Sequence, residues 1–227
     1  MTTSTNHNSF FYLLNTNNTN YPVGSFVYSH GLEYLIEEEI IKNSKEFIDY
    51  VEHLFFDSHY KQDIIFFNEI FLRKKITNKK ILDLINNYKS LNSSEELLNE
   101  TLNVGSSYFK ITNKIYKLEN KTKFLNQYDK PFCIMYSLFS KLLGIKFEDS
   151  LKGFIYSNLN NLVSSYVKIK PSGQEEGQMI LKKIFSKFEK EISLFKSLNL
   201  NDLDSFNFYA DISSFKHEKM YTRIYQS

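Results

Sequence analysis

Apolar residues recur along most of this chain at three- and four-residue intervals, divided by faces of Asn, Lys and Glu, which is the pattern of amphipathic helices. Residues 32–41 read as a first helix. Ser44 can N-cap a long second one in which Phe47, Val51, Leu54, Phe55, Ser58, Ile65 and Phe66 return at helical spacing to about Lys75. Ile81, Leu82 and Ile85 mark a short helix over 78–88, and the run Ser93, Ser94, Glu95, Glu96 resembles a capping box opening a helix toward Phe109. Pro131 suits the first turn of a helix carrying Phe132, Met135, Leu138, Phe139 and Leu142, with Gly144 as its stop. A long helix from Phe147 ends before Pro171, because proline is not tolerated in a helix interior. Another starts near Glu175 and carries Met179, Leu181, Ile184, Phe185, Phe188 and Ile192; a polar link at 199–204 precedes a last helical stretch.

With only 7 Gly and 3 Pro in 227 residues, the chain lacks the punctuation of an all-β fold. No fixed repeat and no long polar linker interrupts it. The expected architecture is a single all-α bundle of about eight to ten helices, spanning residues 21–227 behind a flexible segment at 1–20 rich in Thr and Asn.

Composition removes several function classes. A hydrophobic share of 42% with 24% charged is ordinary for a soluble domain, and a net charge of +2 leaves neither a nucleic-acid footprint nor a surface for acidic membranes. The single Cys133, set among Phe132, Ile134 and Met135, excludes an internal disulfide and a multi-thiolate zinc site and reads as a buried inert thiol. No basic n-region leads the chain and no apolar run approaches a membrane span, so a cytoplasmic location is expected.

Chemistry-bearing motifs are sparse. His53 and His59 stand six apart, off a common helix face, and His7, His30 and His217 stand alone, so the histidines read as surface or partner-facing residues, with no stable metal site. The glycines around Gln174, Glu175 and Glu176 lack the Gly-Lys-Ser/Thr of a phosphate loop, and Ser25, Ser29 and His30 have no acid placed to orient an imidazole. No catalytic residue is assigned. Glu33 alone is explained by the dipole of a helix start, and Lys168 by a solvated helix end. Sixteen Tyr and 21 Phe without Trp serve chiefly as core and interface payload. The last seven residues differ, since Tyr221, Arg223 and Tyr225 are anchor-type residues at a chain end.

Three segments stand out together. The first, Tyr21-Pro-Val-Gly-Ser-Phe-Val-Tyr-Ser-His-Gly-Leu-Glu33, crowds Pro22, Gly24, Ser25 and Gly31 into ten positions and so demands defined turns. The second runs from Tyr166 to Gln178 across Pro171, and the third from His217 to Ser227. In this order and spacing they resemble the urease accessory protein F (UreF) family from about Tyr21 to Ser227.

The resemblance implies a non-enzymatic, all-α homodimer of the cytoplasm. Such a chaperone joins a second urease accessory protein of the D/H type and recruits a nickel-carrying GTPase of the G type. It thereby serves nickel insertion into apo-urease and gates the GTPase; nickel passes through the complex and no cofactor is stably bound. By position, Gly24, Ser25 and Phe26 match the family's Gly-Ser-aromatic turn, and Arg223 matches its arginine four residues before the terminal Ser227. With Tyr221 and Tyr225 they are expected at the GTPase docking surface. His217 and Glu218 match the His-Glu pair of the tail, expected toward the second accessory protein. Gly31, Leu32 and Glu33 match an interior segment near the dimer axis. With Lys168, Pro171, Gln174, Gly177 and Gln178, which match the basic-Pro-Gln-Gly-Gln segment, they are expected along a nickel route. Phe26 lacks the hydroxyl of members with Tyr, and Val104, Gly105 and Ser106 replace a Met-Gly-Arg, losing a cation. A different class, a general helical interaction module with no metal-delivery role, would have the same composition without these motifs; recovery of a P-loop GTPase with the tagged protein separates the two.

Overall fold

The computed structural model describes residues 5–25, 28–92, 94–170, 173–203, 208–221 and 223–226, with the side chains of 5–8 and 208–210 also outside the description. Its α-helices run in chain order α1 (Thr5–Thr16), α2 (Leu32–Glu37), α3 (Ser44–Phe56), α4 (His59–Phe71), α5 (Asn78–Leu91), α6 (Glu95–Tyr116), α7 (Glu119–Thr122), α8 (Phe132–Leu142), α9 (Phe147–Ile169), α10 (Gln174–Lys190), α11 (Ile192–Ser197) and α12 (Phe208–His217). Among the described residues there is no strand, and no helix is long and apolar enough to cross a membrane. The expected all-α bundle is the observed fold.

The caps explain most boundaries. Thr77 and Ser94 accept from the third residue ahead at the starts of α5 and α6. The N-cap of α3 is Asn43, one residue before the expected Ser44; its extended backbone lets Oδ1 accept from the Lys45 and Glu46 amides at 3.0 and 3.1 Å. Pro131 precedes α8, where Thr101 Oγ1 from α6 accepts the otherwise orphaned Phe132 N–H at 3.0 Å. Gly144, at φ 73°, ends that helix as expected.

The long helix expected from Ser44 to Lys75 is two helices. Asp57 and Ser58 leave helical geometry (φ −128°, ψ −7° and φ −139°, ψ −137°), and both are residue types whose short polar side chains compete with the helical backbone. The break re-aims α4, which becomes the axis of the bundle and is buried on nearly every side against α3, α8 and α9. Several of its polar residues therefore face inward, and two of them find partners there. Asp63 accepts from the Tyr88 hydroxyl at 2.7 Å, and Asn68 Nδ2 donates to the carbonyls of Phe195 and Leu198 at 2.8 and 2.9 Å.

The core is built from aromatic rings, as the composition implied. Phe47 stacks on Tyr166 with ring centroids 4.2 Å apart, Phe55 on Tyr60 at 4.5 Å, and Phe67 meets Tyr136, Phe154 and Phe147. Such pairs add about 0.5–1.5 kcal/mol each beyond the area they bury. Cys133 is fully buried and its thiol is pushed well above the usual range by burial, consistent with an inert core group. The N-terminal segment contributes α1, which reaches the bundle through Asn15 to the Tyr116 hydroxyl and Asn17 to the Tyr136 hydroxyl, both at 2.7 Å.

Candidate functional site

Two places gather the residues singled out in the sequence. The first is the start of α2. His30 and Gly31 take consecutive left-handed backbone angles, φ 57° and 76°, and the Tyr50 hydroxyl holds this turn by donating to the His30 carbonyl at 2.7 Å. A side chain on Gly31 would lie 2.7 Å from Ser213 Cβ and still closer to its Oγ. Only glycine therefore admits α12 here. Leu32 and Glu33 follow, both buried.

Onto this platform folds the C-terminal tail. Glu33 Oε1 accepts the Ile224 amide at 2.8 Å, and Oε2 accepts the Tyr225 amide at 2.9 Å and His217 Nε2 at 3.2 Å. The opposite ring nitrogen of His217 lies 3.0 Å from Glu96 Oε2, and Glu96 Oε1 accepts from Arg223 Nη1 at 2.7 Å. Glu33, His217, Glu96 and Arg223 thus form an alternating acidic and basic row running from α2 across α12 and α6 to the tail. His217 is wholly buried, and a carboxylate buried as deeply as Glu33 is stable only with several donors, here three. In the tail, Tyr221 and Ile224 point to solvent, Arg223 is partly exposed and Tyr225 is buried against its own bundle. Glu218 is exposed beside this row.

The second place is a cavity of about 250 Å³. Gly24 and Ser25 line it on one side, and Lys168 and Gln174, both exposed, on another. Its inner wall carries His30, His59, Tyr60, Asp63 and Glu100. His30 Nε2 lies 2.7 Å from the Tyr60 hydroxyl and 3.1 Å from Glu100 Oε1. Burial, with the His59 imidazole beside it, outweighs that carboxylate and pushes the His30 pKa down to about 3, so the contact is a hydrogen bond of a neutral ring. Burial also raises the Asp63 carboxyl above its usual range, against the opposing effects of His59 and the Tyr88 hydroxyl. Nδ1 of His30 and of His59 are buried without a hydrogen-bond partner. Among the described residues no group of three or more metal-ligating side chains is disposed to hold an ion.

The sequence reading of the histidines as surface or partner-facing is corrected here: His30, His59 and His217 are buried, because the α3–α4 break turns His59 inward and α12 carries His217 onto α2. Gly177 has a packing role, since a side chain there would meet Val167 at 2.7 Å where α10 crosses α9; Gln178 is exposed beyond it. Val104 lines the cavity, and Gly105 is seated against the Lys130 carbonyl. Phe26 and Pro171 lie outside the described residues. The sequence reading missed Glu96, Glu100 and Asp63. The only signal was weak: carboxylates at i and i+4 in an otherwise apolar face of α6, and an Asp followed directly by the apolar run Ile64 to Phe67 in α4.

Against known proteins, the sequence model of the UreF family matches residues 41–184, more than half of the chain. The chain is 26% identical over 212 residues to the urease accessory protein UreF of Xanthobacter autotrophicus, covering 91% of this chain and 86% of that protein. It is 27% identical over 218 residues to that of Picosynechococcus sp., covering 92% and 96%. The UreF of Granulibacter bethesdensis, 26% identical, is matched across 100% of this chain and 97% of its own length, and so takes in both terminal segments. An all-α bundle, matched through its central helices by the family's own sequence model and over nearly its full length by these relatives, belongs to the UreF family of urease accessory proteins.

Proposed function

We propose that this protein is a non-catalytic chaperone that bridges a second urease accessory protein of the D/H type and a nickel-carrying GTPase of the G type, so that nickel reaches apo-urease under GTPase control. The observation that carries this reading is the tail. In a protein of a urease accessory family, a chain end rich in anchor residues is held on α2 and α6 while Tyr221 and Ile224 face solvent and Arg223 keeps part of its guanidinium free. A scaffold couples nucleotide state to metal release only by binding the GTPase states with different affinities, and a fixed, solvent-facing segment suits that task. The Gly24–Ser25 turn is the second docking element in this proposal. The cavity between that turn and Lys168 and Gln174 is the candidate path for the nickel cargo. The protein acts as a homodimer in the cytoplasm.

Partners recovered from cells with a tagged copy test the reading. A P-loop GTPase and a second urease accessory protein are expected in the eluate, and Arg223→Ala is expected to lose the GTPase by roughly thirtyfold in affinity, the effect of a hot-spot arginine. Their absence from a urease-producing cell would leave a helical interaction module without metal delivery.

A further inference from the structure

Glu33 keeps only 6% of its surface exposed, too little for solvent to sustain its charge. Both carboxylate oxygens are directed at backbone amides of the tail, and the second is shared with a fully buried histidine from α12. Three donors from two C-terminal elements converge on one side chain of α2. That is the arrangement of a receptor for a chain segment, because backbone amides cannot move out of register without the segment moving too.

We infer that Glu33 is a latch that pre-orders the C-terminal tail for partner docking. The latch has two catches. Glu33 fixes the backbone at Ile224 and Tyr225, which turns the Tyr225 ring inward and leaves the Ile224 and Tyr221 side chains outward. Glu96 fixes the side chains, taking Arg223 by one nitrogen and His217 by the other face of its ring. His217 joins the catches, so opening one weakens the other. Gly31 completes the device, since α12 reaches Glu33 only because no side chain stands between it and Ser213. Glu33 is in this account a positioning residue: it touches no partner, and it lowers the ordering cost that a loose tail would incur on binding. The inference deepens the proposed docking role of the tail and rests on it for the partner, but not for the latch.

Amide hydrogen exchange on the full-length free protein, read on the C-terminal peptide, tests the latch without any partner. Slow exchange of the Ile224 and Tyr225 amides is expected in the wild type. In Glu33→Gln one of the two acceptors becomes an amide donor facing an N–H, and exchange is expected to rise at least tenfold there while α4 and α8 peptides are unchanged. Glu96→Gln, which keeps Glu33, is expected to free Arg223 with a smaller rise, and it serves should Glu33→Gln misfold. Fast exchange in the wild type, or no change in the variants, overturns the latch. GTPase affinity is then measured for the same proteins, with at least tenfold weakening expected in Glu33→Gln. A tail that becomes loose yet docks with wild-type affinity overturns the pre-ordering role. Should the wild type bind no GTPase, the docking proposal falls and the exchange data still decide the latch.

Discussion

A single buried imidazole sets the pH response at the residue scale. His30 takes up a proton near its ordinary value of 6.5 in the unfolded chain but only near 3 in the folded one, because burial and then the His59 ring oppose its charge. A lowered histidine pKa means that protonation favours unfolding. Its contribution is complete above pH 6.5 and is lost as the pH falls from 6.5 toward 3, amounting to about 2 kcal/mol at pH 5. Asp63, raised by burial, works in the opposite direction, its contribution growing as the pH falls. Urea unfolding at pH 7 and pH 5 is expected to show the loss in the wild type and a smaller one in His30→Asn, asparagine being a residue that tolerates the left-handed backbone at this position. An equal drop in both proteins would place the pH sensitivity elsewhere. His30 was visible in the sequence only as part of a turn, and no spacing rule could pair it with Glu100, 70 positions away.

At the scale of elements, helix starts were legible and helix neighbours were not. Ser94 illustrates the difference. Its capping of α6 follows from a local pattern, but its hydroxyl also lies 2.6 Å from Ser214 Oγ of α12, a contact between residues 120 apart. Ser94→Ala removes the cap and orphans a buried hydroxyl, so it is expected to cost about 2 kcal/mol or more, roughly twice a cap alone. The Ser94→Ala/Ser214→Ala pair is expected to cost less than the sum of the single changes, since no orphan is then left. Additive costs would show that the two hydroxyls are independent. The α3–α4 break escaped the periodicity because Asp57 and Ser58 cost little against an otherwise continuous apolar pattern. The break is favoured only when α4 finds α8 and α9 to bury it.

For the whole molecule, the proposed homodimer and nickel path each make a measurable demand. Phe10, Phe11 and Leu14 on α1, with Ile40, Leu72, Met179 and Leu194 elsewhere, leave apolar surface exposed on one copy. Sedimentation at micromolar concentration is expected to give twice the 26.9 kDa of the chain, and a stable monomer would count against the dimer. Lys168 lies at the cavity edge with an exposed side chain and no deep packing role. Lys168→Ala is therefore expected to leave helix content and complex formation unchanged while lowering the nickel bound per urease active site. Equal metallation would leave Lys168 as a solvated helix end.

The helical class, the helix starts to within a residue or so, the buried Cys133, the stop at Gly144 and the family were determined by the chain alone. Each depends on periodicity, local backbone chemistry or a linear motif, which neighbours in sequence express without help from the fold. The motifs also marked Gly31, Glu33, His217 and Arg223 as special. What they do to one another was decided only by the tertiary structure. Glu33 becomes the receptor of a tail nearly two hundred residues away, Tyr225 turns inward while Tyr221 turns outward, and three histidines are buried that spacing left at the surface. Charge pairing and burial act through space over a few ångströms, and which distant residues come within that range depends on how the helices pack.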